Sequence, residues 1–304
     1  MKKNKPYILN SVAELHQFLN IKKPTHPLVS VVNLDDIDYE VGDKMKTIVY
    51  NFYTIYLKSN FDGKIKYGQQ YYDFDDGVMT FFAPTQMFSI EENSSTKVEG
   101  WMLVFHPDFI QSYSLAKRIK EYGFFSYANN EALHLSEKEE SIIAGLTENL
   151  QKEIEAMIDS FTQDVVVSHI DLLLNYCNRF YNRQFITRKK ASNDLFLKFE
   201  GLLSAYYQNN GSSAAELPTV QYFAEKLSVS PHYLNDMLKN LTGQTTQQHI
   251  QRQLLEKAKE LLSTTELSIS EIAYQLGFEY PQSFSKVFKN KTNQTPLEFR
   301  LSFN

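Results

Sequence analysis

Cysteine is nearly missing from this sequence: Cys177 is the single one among 304 residues. One thiol excludes an intramolecular disulfide and any cysteine-based zinc cluster, and it fits a reducing cytoplasm. Long apolar runs are missing as well. No stretch approaches the ~18 unbroken apolar residues of a membrane helix, and the basic start Met1-Lys2-Lys3-Asn4-Lys5-Pro6 leads into no apolar segment of the signal-peptide kind. Positive charge is not in excess either, with 31 Lys+Arg against 36 Asp+Glu and a formal net charge of −5. Read whole, that balance gives no sign of a nucleic-acid partner. The chain also has no Gly-x-Ser-x-Gly, no phosphate-binding P-loop and no dinucleotide glycine fingerprint.

What is present is apolar content of 42% and a length that suits two domains of roughly 150 residues each. The charge divides unevenly between them. From Leu217 onward there are nine Lys+Arg and eight Asp+Glu, a net of +1, so the first 216 residues carry −6. The two parts need separate readings.

Residues 28–110 read mainly as β. Ile48 to Leu57 is rich in β-branched and aromatic residues, Gly77 to Ile90 starts at a turn signal and is broken by Pro84, and Trp101 to Phe105 is a short apolar run ended by His106-Pro107. Short strands with Gly, Asp and Asn turns predict an antiparallel sandwich or barrel. After about residue 135 the period becomes helical. Ser136-Glu137-Lys138-Glu139 has the form of a capping box. Ile143, Leu146, Leu150, Ile154, Met157, Phe161 and Val165 then follow at spacings of three and four, one stripe on a long helix with a possible break near Asp159-Ser160. A second helix carries Ile170, Leu173, Cys177 and Phe180. Such stripes either pack onto the β-domain or also form a dimer seam. A basic stretch, a short helix (Leu195, Phe199, Leu202, Leu203, Tyr206) and the Gly/Ser-rich segment 209–216 follow, and the last is the best linker in the chain.

The C-terminal segment repeats itself. Phe223-Ala224-Glu225-Lys226-Leu227 aligns with Ile272-Ala273-Tyr274-Gln275-Leu276 at an offset of 49. Leu234 to Asn240 aligns with Phe284 to Asn290 at an offset of 50, the extra residue falling in the turn. Thr242-Gly243-Gln244-Thr245 matches Thr292-Asn293-Gln294-Thr295. Gly and Asn best tolerate a left-handed backbone, so the match predicts one turn geometry used twice. Each copy reads as helix, tight turn, helix. Ser268-Ile269-Ser270-Glu271 and Thr295-Pro296-Leu297-Glu298 are capping boxes, and Ser230-Pro231 and Pro281 suit helix starts. Gly277 supplies a helix stop, with Ser228 in its place in the first copy. Between the copies Thr245 to Ser263 reads as one helix, a stiff spacer of about 27 Å.

These residues resemble the DNA-binding domain of AraC/XylS-type transcriptional regulators. The likeness rests on Ser268-Ile269-Ser270-Glu271-Ile272-Ala273, Leu276-Gly277-Phe278, Phe284 to Lys289 and Thr295 to Arg300, and with the first repeat it covers about residues 217–304. Asn293 stands where the family usually has Gly. The resemblance implies a double-stranded DNA partner, an RNA polymerase partner, an activator more readily than a repressor, and an N-terminal cupin-like barrel that binds a small effector. The fold class expected is therefore α+β: a cupin-like antiparallel β-barrel with following helices, then an all-α domain of two helix-turn-helix units. The domain plan is a sensor and dimerisation domain at 1–190, a connecting helix and linker at 191–216, and the double helix-turn-helix domain at 217–304.

In a helix-turn-helix unit the second helix enters the major groove. The polar faces of the two second helices carry His232, Asn235, Asp236 and Lys239 in the first copy and Gln282, Ser283, Ser285, Lys286 and Lys289 in the second. The resemblance puts His232, Asn235, Asp236, Pro281, Gln282, Ser285 and Lys286 at base-contact positions. Asn235 and Gln282 have the groups to pair with adenine, Lys286 to donate to guanine and Asp236 to accept from cytosine. Lys239, Lys289 and Lys291 suit phosphate. The second unit is expected to hold the backbone more strongly, since Lys286, Lys289 and Lys291 follow one another without an acid between them.

In the β-region Phe52, Tyr56, Tyr71, Phe81, Phe82 and Trp101 are candidates to line an apolar ligand pocket, with ordinary barrel core as the alternative. A cupin-type metal enzyme is the rival reading from another class. It needs clustered His and carboxylate ligands, whereas the seven histidines are scattered and only His26 and His106 lie in or beside the β-region. The acidic groups Asp35-Asp36 with Asp38, and Asp73 with Asp75-Asp76, read as solvated turns. The expectation is a cytoplasmic, homodimeric regulator with no cofactor, no metal and no membrane contact; a ligand-independent DNA-binding dimer is the third reading.

Overall fold

Alternating side chains along the strands of the first part of the chain divide its interior into two cores. The computed structural model describes residues 7–37, 48–59, 65–67, 70–72, 77–88, 99–128, 131–187, 189–209 and 216–302. They fall into two units, Met1–Gln184 and Phe185–Asn304. The first unit runs β1 (Tyr7–Leu9), α1 (Val12–Phe18), β2 (Val29–Asn33), β3 (Ile48–Tyr50), β4 (Tyr53–Ser59), β5 (Ile65–Tyr67) and β6 (Gln70–Tyr72). It continues with β7 (Val78–Phe82), β8 (Met87–Phe88), β9 (Glu99–Phe105), the one-turn helices α2 (Pro107–Ile110) and α3 (Leu115–Arg118), and β10 (Leu133–His134). The long helices α4 (Glu137–Glu155) and α5 (Thr162–Thr187) follow, α5 ending past the unit boundary.

Five strands form an antiparallel sheet in the order β10-β7-β4-β9-β2. A second sheet, β1-β3-β8, contains a parallel pair between β1 and β3, and β5 pairs with β6. Among the described residues no closed barrel is formed. The run Ile48 to Leu57, expected from sequence to be β, is two strands of different sheets. The break lies at Asn51-Phe52, where the Asn51 amide donates to Leu9 O at 2.9 Å and its side chain to Asn10 Oδ1 at 2.7 Å. Those bonds tie the chain to the end of β1 before it enters the larger sheet.

Period-two alternation then sorts the side chains. Tyr53, Ile55, Leu57, Met79, Phe81, Leu103 and Phe105 share a core with Ile143, Leu150 and Ile154 of α4 and Ile170, Leu174 and Cys177 of α5. Met102, Val104 and Val32 point the other way, into a core with Ile48, Tyr50, Phe52 and residues Val12 and Leu15 of α1. Gly100 is required at φ +130, since a Cβ there would lie 2.1 Å from Leu57 O.

The helical stripe after residue 136 is interrupted. The Ser136–Glu139 capping box opens α4, but the helix stops at Glu155, and Asp159 Oδ1 takes the amides of Phe161 and Thr162 at 2.8 and 2.9 Å to start α5. The stripe therefore ends at Ile154. Met157, Phe161 and Val165, which continue its spacing, are 94%, 68% and 37% exposed.

The second unit is helical: α6 (Lys189–Asn209), α7 (Val220–Leu227), α8 (Pro231–Thr242), α9 (Thr246–Thr264), α10 (Ile269–Gln275), α11 (Pro281–Thr292) and α12 (Pro296–Leu301). α6, at the place of the expected connecting helix, packs on α7, α8 and α9. Its Phe199, fully buried, meets Phe223 edge-on at 5.4 Å. Residues 210–215 of the expected linker lie outside the described residues. No described helix is long and apolar enough to cross a membrane.

Candidate nucleic-acid interface

Both helix-turn-helix copies are closed by the same local chemistry. α7 ends at Ser228 in the left-handed region (φ 58), and the matching turn after α10 passes through Gly277 (φ 90). α8 ends at Gly243 (φ 73) and α11 at Asn293 (φ 61). The residue just before each of these last two stops repeats its bond too: Thr242 Oγ1 donates to Leu238 O and Thr292 Oγ1 to Phe288 O, each at 2.8 Å. Capping boxes Thr245–Gln248, Ser268–Glu271 and Thr295–Glu298 open α9, α10 and α12. Their hydrogen bonds hold the Glu271 and Glu298 carboxyls below the usual carboxylate range. Each cap is worth about 1 kcal/mol.

Apolar faces fix how each second helix is presented. Leu234, Met237 and Leu238 of α8 are buried, as are Phe284 and Phe288 of α11. The opposite side of α11 carries Gln282, Ser283, Lys286, Lys289 and Lys291, all exposed, with Pro281 and Ser285 half-buried. The Ser285 hydroxyl donates to Pro281 O at 3.1 Å, which leaves its lone pairs outward. α8 is less open. His232 and Lys239 are exposed, while Asn235 and Asp236 are half-buried. Asn235 Oδ1 accepts the Thr246 amide at 3.4 Å, so this side chain also helps start α9. An adenine pairing from Asn235 has to compete with that bond. The sequence shows the amide group and not its local use, because Thr246 is eleven residues away.

One contributor to this unit escaped the sequence reading. His249 of α9 is 1% exposed and lies among Thr242, Glu200 and Arg252. Its aromatic counterpart Phe299 at the matching repeat position is the available signal.

The residues proposed from sequence as a ligand pocket do not converge. Phe81 and Trp101 belong to the core shared with α4 and α5, while Phe52 and Tyr56 belong to the core on the other face of the sheet. Phe82 meets Tyr56 edge-on at 5.9 Å on that second face. Tyr71 lies in β6, and its side chain is outside the described ones, as are Asp38, Asp73, Asp75 and Asp76. On the second face the Tyr50 and Tyr56 hydroxyls meet at 3.3 Å, and burial pushes the Tyr50 phenol up to about 12. Thr54 Oγ1 is buried there without a hydrogen-bond partner.

His26 and His106 serve local structure. His26 Nδ1 accepts the Leu28 amide at 3.1 Å, and His106 Nδ1 accepts the Asp108 amide at 3.3 Å at the start of α2. Among the described residues no three His, Cys, Asp or Glu side chains are grouped to hold a metal ion.

Comparison with known proteins matches this second unit. A family described as a helix-turn-helix domain matches residues 223–302. Histidine kinase P4 of Formosa agariphila is 40% identical over 78 residues, 26% of this chain and 6% of that protein. The HTH-type transcriptional activator RhaS of Yersinia pestis is 35% identical over 95 residues, 31% of this chain and 34% of that protein. The crystallised C-terminal domain of the two-component response regulator yesN from Fusobacterium nucleatum is 36% identical, with a TM-score of 0.30, 33% of this chain and 96% of that one being covered. The chain thus spans 6% and 34% of the two curated relatives. With the duplicated turns, caps and polar helix faces described above, residues 223–302 belong to the AraC/XylS-type family of helix-turn-helix DNA-binding domains.

Proposed function

We propose that the protein is a sequence-specific transcriptional regulator that binds double-stranded DNA through α8 and α11. The carrying observation is the duplicated unit: two helices of twelve residues, each with a buried apolar side, a polar side and a left-handed stop. Inserted in successive major grooves they read sites about 34 Å apart on one DNA face. His232, Asp236, Gln282, Ser285 and Lys286 contact bases, Pro281 and Ser283 stand beside them, and Lys239, Lys289 and Lys291 meet phosphates. Asn235 reads bases only when its bond to Thr246 yields. Selecting bound sequences with the intact protein and with a Gln282→Ala, Lys286→Ala double variant tests the assignment. The variant is expected to lose preference at the second half-site by about 1–3 kcal/mol per base pair contacted; an unchanged site preference would refute it.

The same domain is shared by an activator and a histidine kinase, so the input must come from the rest of each chain. In this reading the first unit is a cupin-like sensor and dimerisation module acting in the cytoplasm. It forms a homodimer and controls an activator that contacts RNA polymerase. The partnerless Thr54 hydroxyl, on the same face of β4 as Tyr56, favours a small polar effector on that face over a purely structural sheet. Thermal shift of the full chain against a metabolite panel checks this: a stabilised lower transition supports a sensor, and a flat response supports the ligand-independent dimer.

A further inference from the structure

The repeat allows one position to be compared twice within the molecule. Thr245-Thr246-Gln247-Gln248-His249 aligns with Thr295-Pro296-Leu297-Glu298-Phe299. In the second copy the position is apolar, and Phe299 packs edge-on against Phe288 of α11 with ring centroids 5.5 Å apart. In the first copy it is a buried imidazole. Its Nε2 lies 2.9 Å from Thr242 Oγ1 at the end of α8. That hydroxyl gives its own hydrogen to Leu238 O at 2.8 Å, so Nε2–H donates to it and Nδ1 keeps a lone pair. Arg252 of α9 donates to Nδ1 at 3.2 Å and also to Gln244 Oε1, in the turn after α8, at 3.1 Å. Glu200 of α6 places Oε1 3.2 Å from Nδ1 and 3.5 Å from Arg252. Phe196 and Phe199 of α6 flank the ring at 6.0 and 5.8 Å. The charged groups facing the imidazole are thus Glu200 from α6 and Arg252 from α9, with the Thr242 hydroxyl from α8.

Building on the DNA-binding reading above, we infer that His249 is a positioning residue for the first recognition helix: the Nδ1 lone pair of its neutral ring accepts Arg252, which in turn holds Gln244 in the turn after α8, and a proton on Nδ1 breaks that link. A proton there turns the bond from Arg252 into a like-charge contact and redirects the ring toward Glu200. Arg252 then also loses its hold on Gln244. Burial lowers the His249 pKa below the ordinary 6.5, Arg252 adds to the effect, and Glu200 opposes it. The neutral arrangement therefore prevails at neutral pH and is lost only as pH falls below the ordinary histidine value.

The test uses the full chain and a duplex carrying both selected half-sites, with affinity followed by fluorescence anisotropy from about pH 7.5 to about pH 5.5 at fixed ionic strength. Wild type is expected to lose up to about tenfold in affinity per pH unit below the His249 pKa. His249→Phe, the residue of the second copy, removes this component while restoring an aromatic anchor. Glu200→Gln, lacking the carboxylate that favours the imidazolium, shifts the loss to lower pH. His232, exposed at the start of α8, is common to all three proteins, so differences between them report on His249. Parallel pH profiles for wild type and His249→Phe would overturn the inference. So would an unmoved profile for Glu200→Gln, the deciding variant if His249→Phe does not fold. No DNA binding by wild type at any pH would instead overturn the underlying reading, and this inference with it.

Discussion

At the scale of single residues, the left-handed stops show what an amino acid's identity can and cannot announce. Gly243 and Asn293 occupy equivalent positions with φ of 73 and 61, and both are residue types that announce such a backbone. Ser228 does not; only its alignment with Gly277 pointed there, and its φ of 58 confirms the shared turn. A Cβ at Gly243 meets nothing within 4 Å, so replacing it tests backbone strain alone. Gly243→Ala is expected to destabilise the second unit by about 1 kcal/mol and Gly243→Asn by less, while Ser228→Gly stabilises it by about 0.5–1 kcal/mol. Urea unfolding with unchanged slope would measure all three. Asn235 illustrates the opposite limit: its side-chain amide is legible in the sequence, its bond to Thr246 is not.

Elements were legible where a signal is local. The capping boxes at Ser136, Ser268 and Thr295 mark helix starts in the sequence and in the structure alike. Ser268→Ala removes the acceptor for the Glu271 amide at 3.2 Å and is expected to cost about 1 kcal/mol, read by chemical denaturation, with the same loss for Thr295→Ala. Periodicity misled where it outlasted its helix. Met157, Phe161 and Val165 keep the spacing of Ile143 to Ile154, but the Asp159 carboxylate collects amides and starts a new helix, so the stripe turns outward. Likewise the β-rich run from Ile48 to Leu57 carries no break signal strong enough to show that Asn51 binds back to Asn10.

For the whole molecule, acid should weaken both units through a buried histidine in each. His16 is buried against Ser30 and the Lys22 carbonyl, and desolvation lowers its pKa below 6.5, the carbonyl bond partly opposing; His249 is lowered likewise. The unfolded chain then takes up protons first, so these contributions are complete above about pH 6.5 and are lost as pH falls through the folded values below it. Calorimetry between about pH 7.5 and pH 5 should show a falling Tm, with His16→Gln and His249→Phe each flattening part of the fall. With Lys239, Lys289 and Lys291 as the proposed phosphate contacts, DNA affinity should fall with salt by roughly 0.9 log units per log unit of salt for each phosphate contacted. By itself the sequence determined the duplicated helix-turn-helix, its caps and its polar faces, because those depend on neighbours within a few residues or on a repeat visible as such. Tertiary structure alone decided that the candidate pocket aromatics part to opposite faces of a sheet, that α6 folds with the DNA-binding unit and that His249 is enclosed between Glu200 and Arg252. Those outcomes follow from which distant surfaces bury one another, and no local pattern encodes that choice.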